Sequence, residues 1–202
     1  MAHVCVYCAS STSIEPGLIE LATEVGAELA RRGHSLVSGG GRVSMMGAVA
    51  AAARAGGART VGVIPEALSS REIADFDSDE LILTTGMRER KAAMDDRADA
   101  FLGLPGGIGT LEEMFEVWTS RSLGMHAKPV VLLNTGGFYG GLLSWLRDLE
   151  ARGFVRREAL AMLTVVSSVS EAFDAIELEL HSETRVEAGP SAPVRVTPVP
   201  DA

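Results

Sequence analysis

Short apolar runs alternate with stretches of helical spacing along almost the whole chain, and this alternation narrows the possible folds more than any other feature. The runs lie at 3–8, 35–38, 60–64, 81–84, 100–102, 129–133 and 163–166. Between the first two, Leu18, Leu21, Ala22, Val25 and Leu29 recur at the helical period, with Pro16 suited to a first turn and Gly33 to a stop. Further helices are predicted over 44–55, 87–97, 110–122, 139–152 and 170–180. The pattern specifies an α/β fold: a Rossmann-like open parallel sheet with helices on both faces. Residues 1–181 are expected to form one α/β domain. From 182 to 202 the sequence is polar and carries Pro190, Pro193, Pro198 and Pro200, the composition of a disordered tail.

Open parallel sheets bind ligands at the carboxyl ends of their strands. Glycine- or serine-rich turns fall at such ends at 9–13, which includes Ser10, at 39–41, which includes Gly40 and Gly41, and at 105–110. The third turn carries the most chemistry. Leu104-Pro105-Gly106-Gly107-Ile108-Gly109-Thr110-Leu111-Glu112-Glu113 leaves a strand, turns on glycines and enters a helix. Bare N–H groups and the positive end of a helix favour an anion there, phosphate above all. Phosphate binding has no need of a carboxylate at Glu113, so the stretch reads as a phosphate cradle with a catalytic acid attached. Glu112 and Glu113 point about 100° apart on a helix, so at most one of them faces the ligand.

The other chemistry-bearing segments leave alternatives open. Gly39-Gly40-Gly41-Arg42-Val43-Ser44-Met45-Met46-Gly47 departs from the dinucleotide fingerprint, which requires glycine where Ser44 stands, and no phosphate-loop lysine follows either turn. It reads as a structural turn or as a mononucleotide phosphate or ribose site. Arg88-Glu89-Arg90-Lys91 reads as a solvated face or as a cationic clamp aimed at the anion site.

Composition removes several classes. A net charge of −9 argues against nucleic-acid binding. No apolar run approaches the ~18–20 residues of a transmembrane helix, and no signal-like segment opens the chain. Membrane partners are therefore not expected, and the cytoplasm is the expected compartment. Cys5 and Cys8 form a C-x-x-C within a strand, where residues three apart face opposite ways. With no second pair and no histidine at ligand spacing, a metal site is not expected.

The motif from Pro105 to Glu113 matches the P-G-G-x-G-T-x-x-E signature of the LOG ("lonely guy") family. The blocks Gly39-Gly40-Gly41 through Met46-Gly47 and Arg90-Lys91 match two more of its segments in the same order, and Gly137-Phe138-Tyr139 resembles a later one. The resemblance spans roughly residues 3 to 180. It implies a cytokinin riboside 5′-monophosphate phosphoribohydrolase, which cleaves an N6-substituted adenosine monophosphate into free base and ribose 5-phosphate without metal or redox cofactor. Arg90 and Glu113 correspond to the family's catalytic pair. Glu72, Lys91, Gly107, Ile108, Gly109, Thr110, Leu111, Glu112 and Thr119 correspond to its substrate contacts. Ser10, Gly40, Gly41, Met46, Gly47 and Gly106 complete the candidate set from the turns and matching blocks. The resemblance also implies a homodimer, with the segment from Thr119 to Gly124 near the subunit contact. Competing readings are a general AMP nucleosidase indifferent to the N6 substituent, and a non-catalytic nucleotide or cofactor carrier.

Overall fold

The computed structural model describes residues 1–69 and 74–186. Its strands are β1 (His3–Tyr7), β2 (Ser35–Ser38), β3 (Thr60–Pro65), β4 (Glu80–Thr84), β5 (Ala100–Gly103), β6 (Val130–Leu133) and β7 (Thr164–Val166). The helices are α1 (Pro16–Arg31), α2 (Ser44–Ala55), α3 (Glu66–Leu68), α4 (Met87–Arg97), α5 (Ile108–Ser122), α6 (Gly140–Ala151), α7 (Arg157–Ala161) and α8 (Val169–Val186). The strands form one parallel sheet in the order β4-β3-β2-β1-β5-β6-β7. This is the α/β, Rossmann-like open parallel sheet that the alternation specifies.

Residues of β2, β3, β5 and β6 are buried at every position. Helices cover both faces of these strands, so they read as unbroken apolar runs rather than alternating ones. On one face, Val4, Val6 and Cys8 pack with Val25 and Leu29 of α1, Val49 and Ala53 of α2, and Phe173 and Ile176 of α8. On the other, Cys5 and Tyr7 pack with Met94 of α4, Met114 and Trp118 of α5, and Leu146 of α6. The two cysteines thus lie on opposite faces, both buried and unpaired. Among the described residues no helix is long and apolar enough to cross a membrane.

The sheet grows from β1 towards β4 in one direction and from β5 towards β7 in the other. Connections leave β1 and β5 to opposite sides, which opens a crevice at their carboxyl ends. The pairing continues into the turns beyond: Leu104 N–H donates to Tyr7 O at 2.8 Å, and Ala9 N–H to Pro105 O at 3.3 Å.

The helices depart from the sequence reading most clearly in α5, α7 and α8. Helix α5 begins at Ile108 rather than Thr110, because Gly107 is its extended N-cap and the glycines conceal the first turn from periodicity. Helix α7 spans only five residues, too few to show a helical period, and was not predicted. Helix α8 continues to Val186, so the domain boundary set at 181 falls inside it. The remainder of the predicted tail, residues 187–202, lies outside the described residues, as does Glu72.

Candidate active site

The carboxyl ends of β1, β2, β3 and β5 surround a cleft of about 370 Å³. Cys8, Ala9, Ser10 and Ser11 line it from the turn after β1, and Gly39 and Gly41 from the turn after β2. Met46 of α2, Ile64 of β3, Leu68 of α3, and Met87 and Arg90 of α4 add walls. Gly107, Ile108, Gly109, Thr110, Glu112 and Glu113 close it from the start of α5.

The α5 terminus supplies the donors. Gly107 caps the helix without a side chain, and the first intrahelical bond is Leu111 N–H to Gly107 O at 3.0 Å. The N–H groups of Ile108, Gly109 and Thr110 therefore have no carbonyl one turn earlier to bond. They lie at the cleft wall, at the positive end of a 15-residue helix.

Beside this terminus Arg90 Nη1 donates to Glu113 Oε1 at 2.8 Å. Arg90 Nε donates to Val63 O at 3.1 Å, which ties the guanidinium to the end of β3. Its third nitrogen lies over Gly39, where an added Cβ would stand 1.9 Å from Nη2. Only glycine leaves room for the guanidinium at that position. Arg90 is 8% exposed and Glu113 9%. Burial pushes the Glu113 carboxyl above its ordinary range, and Arg90 opposes that shift by stabilising the carboxylate. The result is a largely buried, oriented carboxylate held beside the open N–H groups at the start of α5. Glu113 also borders a second cavity of about 180 Å³, whose walls include Tyr7, Arg88, Asp95, Glu116 and Ser120.

Glu112, one position earlier, points away from Arg90 and pairs with Lys91. Lys91 Nζ also meets Glu116 Oε2 at 2.6 Å, and these partners raise its pKa. The structure thus separates the two glutamates, one buried on arginine and one half-exposed on lysine.

Of the sequence-predicted set, Ser10, Gly41, Met46, Arg90, Gly107, Ile108, Gly109, Thr110, Glu112 and Glu113 line the cleft. Gly40 does not, but shapes the turn: its φ is +68°, its carbonyl accepts from Asp75 N–H at 2.8 Å, and its neighbour Gly41 bridges to Ala74. Gly47 and Gly106 are packing glycines. An added Cβ would stand 2.0 Å from Arg42 O at the first and 2.1 Å from Thr110 Oγ1 at the second. Leu111 faces the apolar interior between α5 and α6, with Met114, Leu132 and Leu142. Thr119 lies in a separate surface groove with Trp118, Trp145 and Phe154. Within this chain Leu111, Thr119 and Lys91 are therefore not part of the cleft lining. Leu111 faces inward because α5 must bury one stripe on the sheet.

Several participants escaped the sequence reading. Gly39 was seen as a turn residue, but its contact with Arg90 depends on a helix more than forty positions later. Val63 acts through its carbonyl, which no sequence pattern marks. Ser44, with φ +55°, donates its hydroxyl to Ser11 O at 2.5 Å and joins the β1–α1 turn to the start of α2. A non-glycine residue in that region is strained, and strain of this kind gathers at functional sites.

Comparison with known proteins agrees with this geometry. Residues 46–176 match the family model described as "Possible lysine decarboxylase". Lys91 and Lys128 are the only lysines in the chain. Both are engaged, Lys91 by Glu112 and Glu116 and Lys128 by Asp95. The protein named cytokinin riboside 5′-monophosphate phosphoribohydrolase from Mycobacterium tuberculosis is 54% identical over 172 residues, covering 85% of this chain and 91% of that protein. The rice protein of that name is 43% identical over 84% of this chain and 70% of its own length. Among solved structures, the molybdenum cofactor binding protein of Rippkaea orientalis superposes with a TM-score of 0.68 at 20% identity, covering 88% of this chain and 96% of that one. At that identity the likeness shows a shared fold. The sequence matches go further: the chain belongs to the LOG family, that of the cytokinin riboside 5′-monophosphate phosphoribohydrolases.

Proposed function

We propose that this protein is a phosphoribohydrolase that cleaves the N-glycosidic bond of N6-modified adenosine 5′-monophosphates, giving a free adenine-type base and ribose 5-phosphate. The observation that carries the proposal is the buried Arg90–Glu113 pair beside the uncapped start of α5. The named relatives support the same reaction.

The 5′-phosphate sits on the N–H groups at the start of α5, which anchor the substrate in the cleft. Positive charge builds on the sugar as the C1′–N9 bond breaks, as in glycoside hydrolysis. The Glu113 carboxylate stabilises that charge and takes a proton from the attacking water. The water oxygen forms the new bond to C1′, while the bonding pair leaves with N9; the base takes up a proton from solvent, and Glu113 returns its proton to solvent. Arg90 holds Glu113 in place and favours its ionised form.

The protein acts in this account as a homodimer in the cytoplasm. The groove containing Phe115, Trp118, Trp145 and Phe154 gives a second copy an apolar surface beside Thr119 and Ser122. Free, buried thiols suit a reducing compartment. Light scattering of the purified protein tests the dimer.

The substrate is tested by comparing kcat/KM for AMP and N6-isopentenyl-AMP. Preference for the substituted nucleotide is expected. Equal values would make the enzyme a general AMP nucleosidase.

A further inference from the structure

The segment Gly137-Phe138-Tyr139 has no place in the chemistry above, yet its tyrosine reaches the cradle from behind. Tyr139 immediately precedes α6 and is 3% exposed, within the apolar cluster that includes Met114, Val117 and Leu146. Its backbone N–H donates to Asn134 Oδ1 at 2.7 Å, and the Phe138 ring meets it edge-on at 4.8 Å between centroids. Its position is therefore set by its own neighbourhood, independently of the cleft.

The hydroxyl donates to Leu104 O at 2.7 Å, and the Gly106 N–H lies close enough to offset part of its pKa rise. Both groups flank Pro105, just beyond Gly103, the last residue of β5 in register with β6. The Thr110 side chain fills the space that a Cβ at Gly106 would take. The turn that delivers α5 to the cleft is thus bonded to a phenol at Leu104 and packed on the first turn of the helix at Gly106. Burial pushes the hydroxyl pKa up to about 12, so it remains a neutral group able to donate and accept together.

We propose that Tyr139 is a positioning residue for the reaction: its hydroxyl locks the turn from Leu104 to Gly106 and so keeps the start of α5 aimed at the substrate phosphate. The inference rests on the phosphate-cradle reading of that terminus. It also separates two functions of the site. Glu113 lies deeper in α5 and is held by Arg90, which is itself anchored on Val63 O. Releasing the turn disturbs the phosphate end and leaves the reacting end fixed.

Tyr139→Phe removes the hydroxyl and little else. With N6-isopentenyl-AMP, KM is expected to rise about tenfold while kcat stays within about threefold, the scale of one lost buried hydrogen-bond group. The inhibition constant of ribose 5-phosphate should rise in parallel, and that of the free base should not. A lowered melting temperature with unchanged KM and unchanged ribose 5-phosphate inhibition would make the tyrosine merely structural and overturn the proposal. So would a fall in kcat at constant KM. If Tyr139→Phe folds poorly, Asn134→Ala loosens the same tyrosine from its backbone side. It must then show the same KM-only pattern at smaller size, and its absence overturns the proposal. Wild-type enzyme that ribose 5-phosphate fails to inhibit would remove the phosphate-cradle reading and this inference with it. Normal wild-type inhibition together with an unaltered Tyr139→Phe enzyme would remove this inference alone.

Discussion

Arg90 Nη1 and Glu113 Oε1 meet at 2.8 Å, joining α4 to α5 across the end of the cleft. Both side chains are about nine-tenths buried. A pair in this setting is costly to break from one side, because the partner left behind is a buried charge without compensation.

Arg90→Ala removes the cation that favours ionised Glu113. Turnover and nucleotide binding are both expected to fall. Stability should drop by up to about 3–5 kcal/mol, less to the extent that Glu113 takes up a proton instead. Urea unfolding at pH 7 beside steady-state kinetics measures both. Full activity with lowered stability would return Arg90 to a structural role.

Gly39→Ala places a methyl group where the Arg90 guanidinium lies, 1.9 Å from Nη2. The obstructed atom ends a flexible side chain, so the fold should tolerate the change while the guanidinium is displaced from its position. Activity is expected to fall by roughly tenfold or more, the cost of misplacing a group beside the reacting bond. Unchanged kcat/KM would show that the Arg90 position does not matter.

The acid limb of the pH–rate profile should report Glu113. Its carboxyl is raised above 4.5 chiefly by burial. Activity that needs the ionised form should therefore decline, as pH falls, with an apparent pKa above 4.5. Stability runs the other way. Between 4.5 and the raised value the folded chain binds more protons at this site than the unfolded chain. The contribution of Glu113 to stability is therefore fully present below 4.5 and lost as pH rises through the folded value. Unfolding curves of wild type and Glu113→Gln across this window should differ in slope accordingly. An acid limb at or below 4.5 contradicts the assignment.

Phe173 of α8 is fully buried, its ring 6.0 Å from that of His34 with Arg32 above it. Phe173→Ala should cost about 3–5 kcal/mol in urea unfolding, as for other buried aromatic truncations. This tests whether the last helix is integral to the sheet face that α1 and α2 also cover. A loss below 1 kcal/mol would show that α8 is dispensable to the core.

The parts of this molecule that repeat with a period were readable from the sequence. Helix α2 and strand β2 begin and end where apolar spacing and glycines place them. The cradle was readable because a strand, a glycine turn and a helix start are all local features. What escaped depends on contacts between distant segments. Gly39 receives Arg90, and Tyr139 holds the Leu104 carbonyl. Leu111 shares the motif with Thr110 yet turns into the core, since one helix face must be buried. Spacing alone limited the ligand-facing glutamates to one, whereas both line the cleft; the resemblance favoured Glu113. In the structure the two differ in partner, Glu113 on Arg90 and Glu112 on Lys91.

The central claim is that Glu113 acts on the glycosidic bond while the start of α5 holds the phosphate. The most direct measurement is product chromatography after incubating wild type and Glu113→Gln with N6-isopentenyl-AMP, alongside nucleotide binding by each. Wild type is expected to release free N6-isopentenyladenine and ribose 5-phosphate. Glu113→Gln should bind the nucleotide nearly as well and release base about a thousandfold more slowly or not at all. Near-normal base release by Glu113→Gln would contradict the account, as would wild-type enzyme that binds the nucleotide and releases no base.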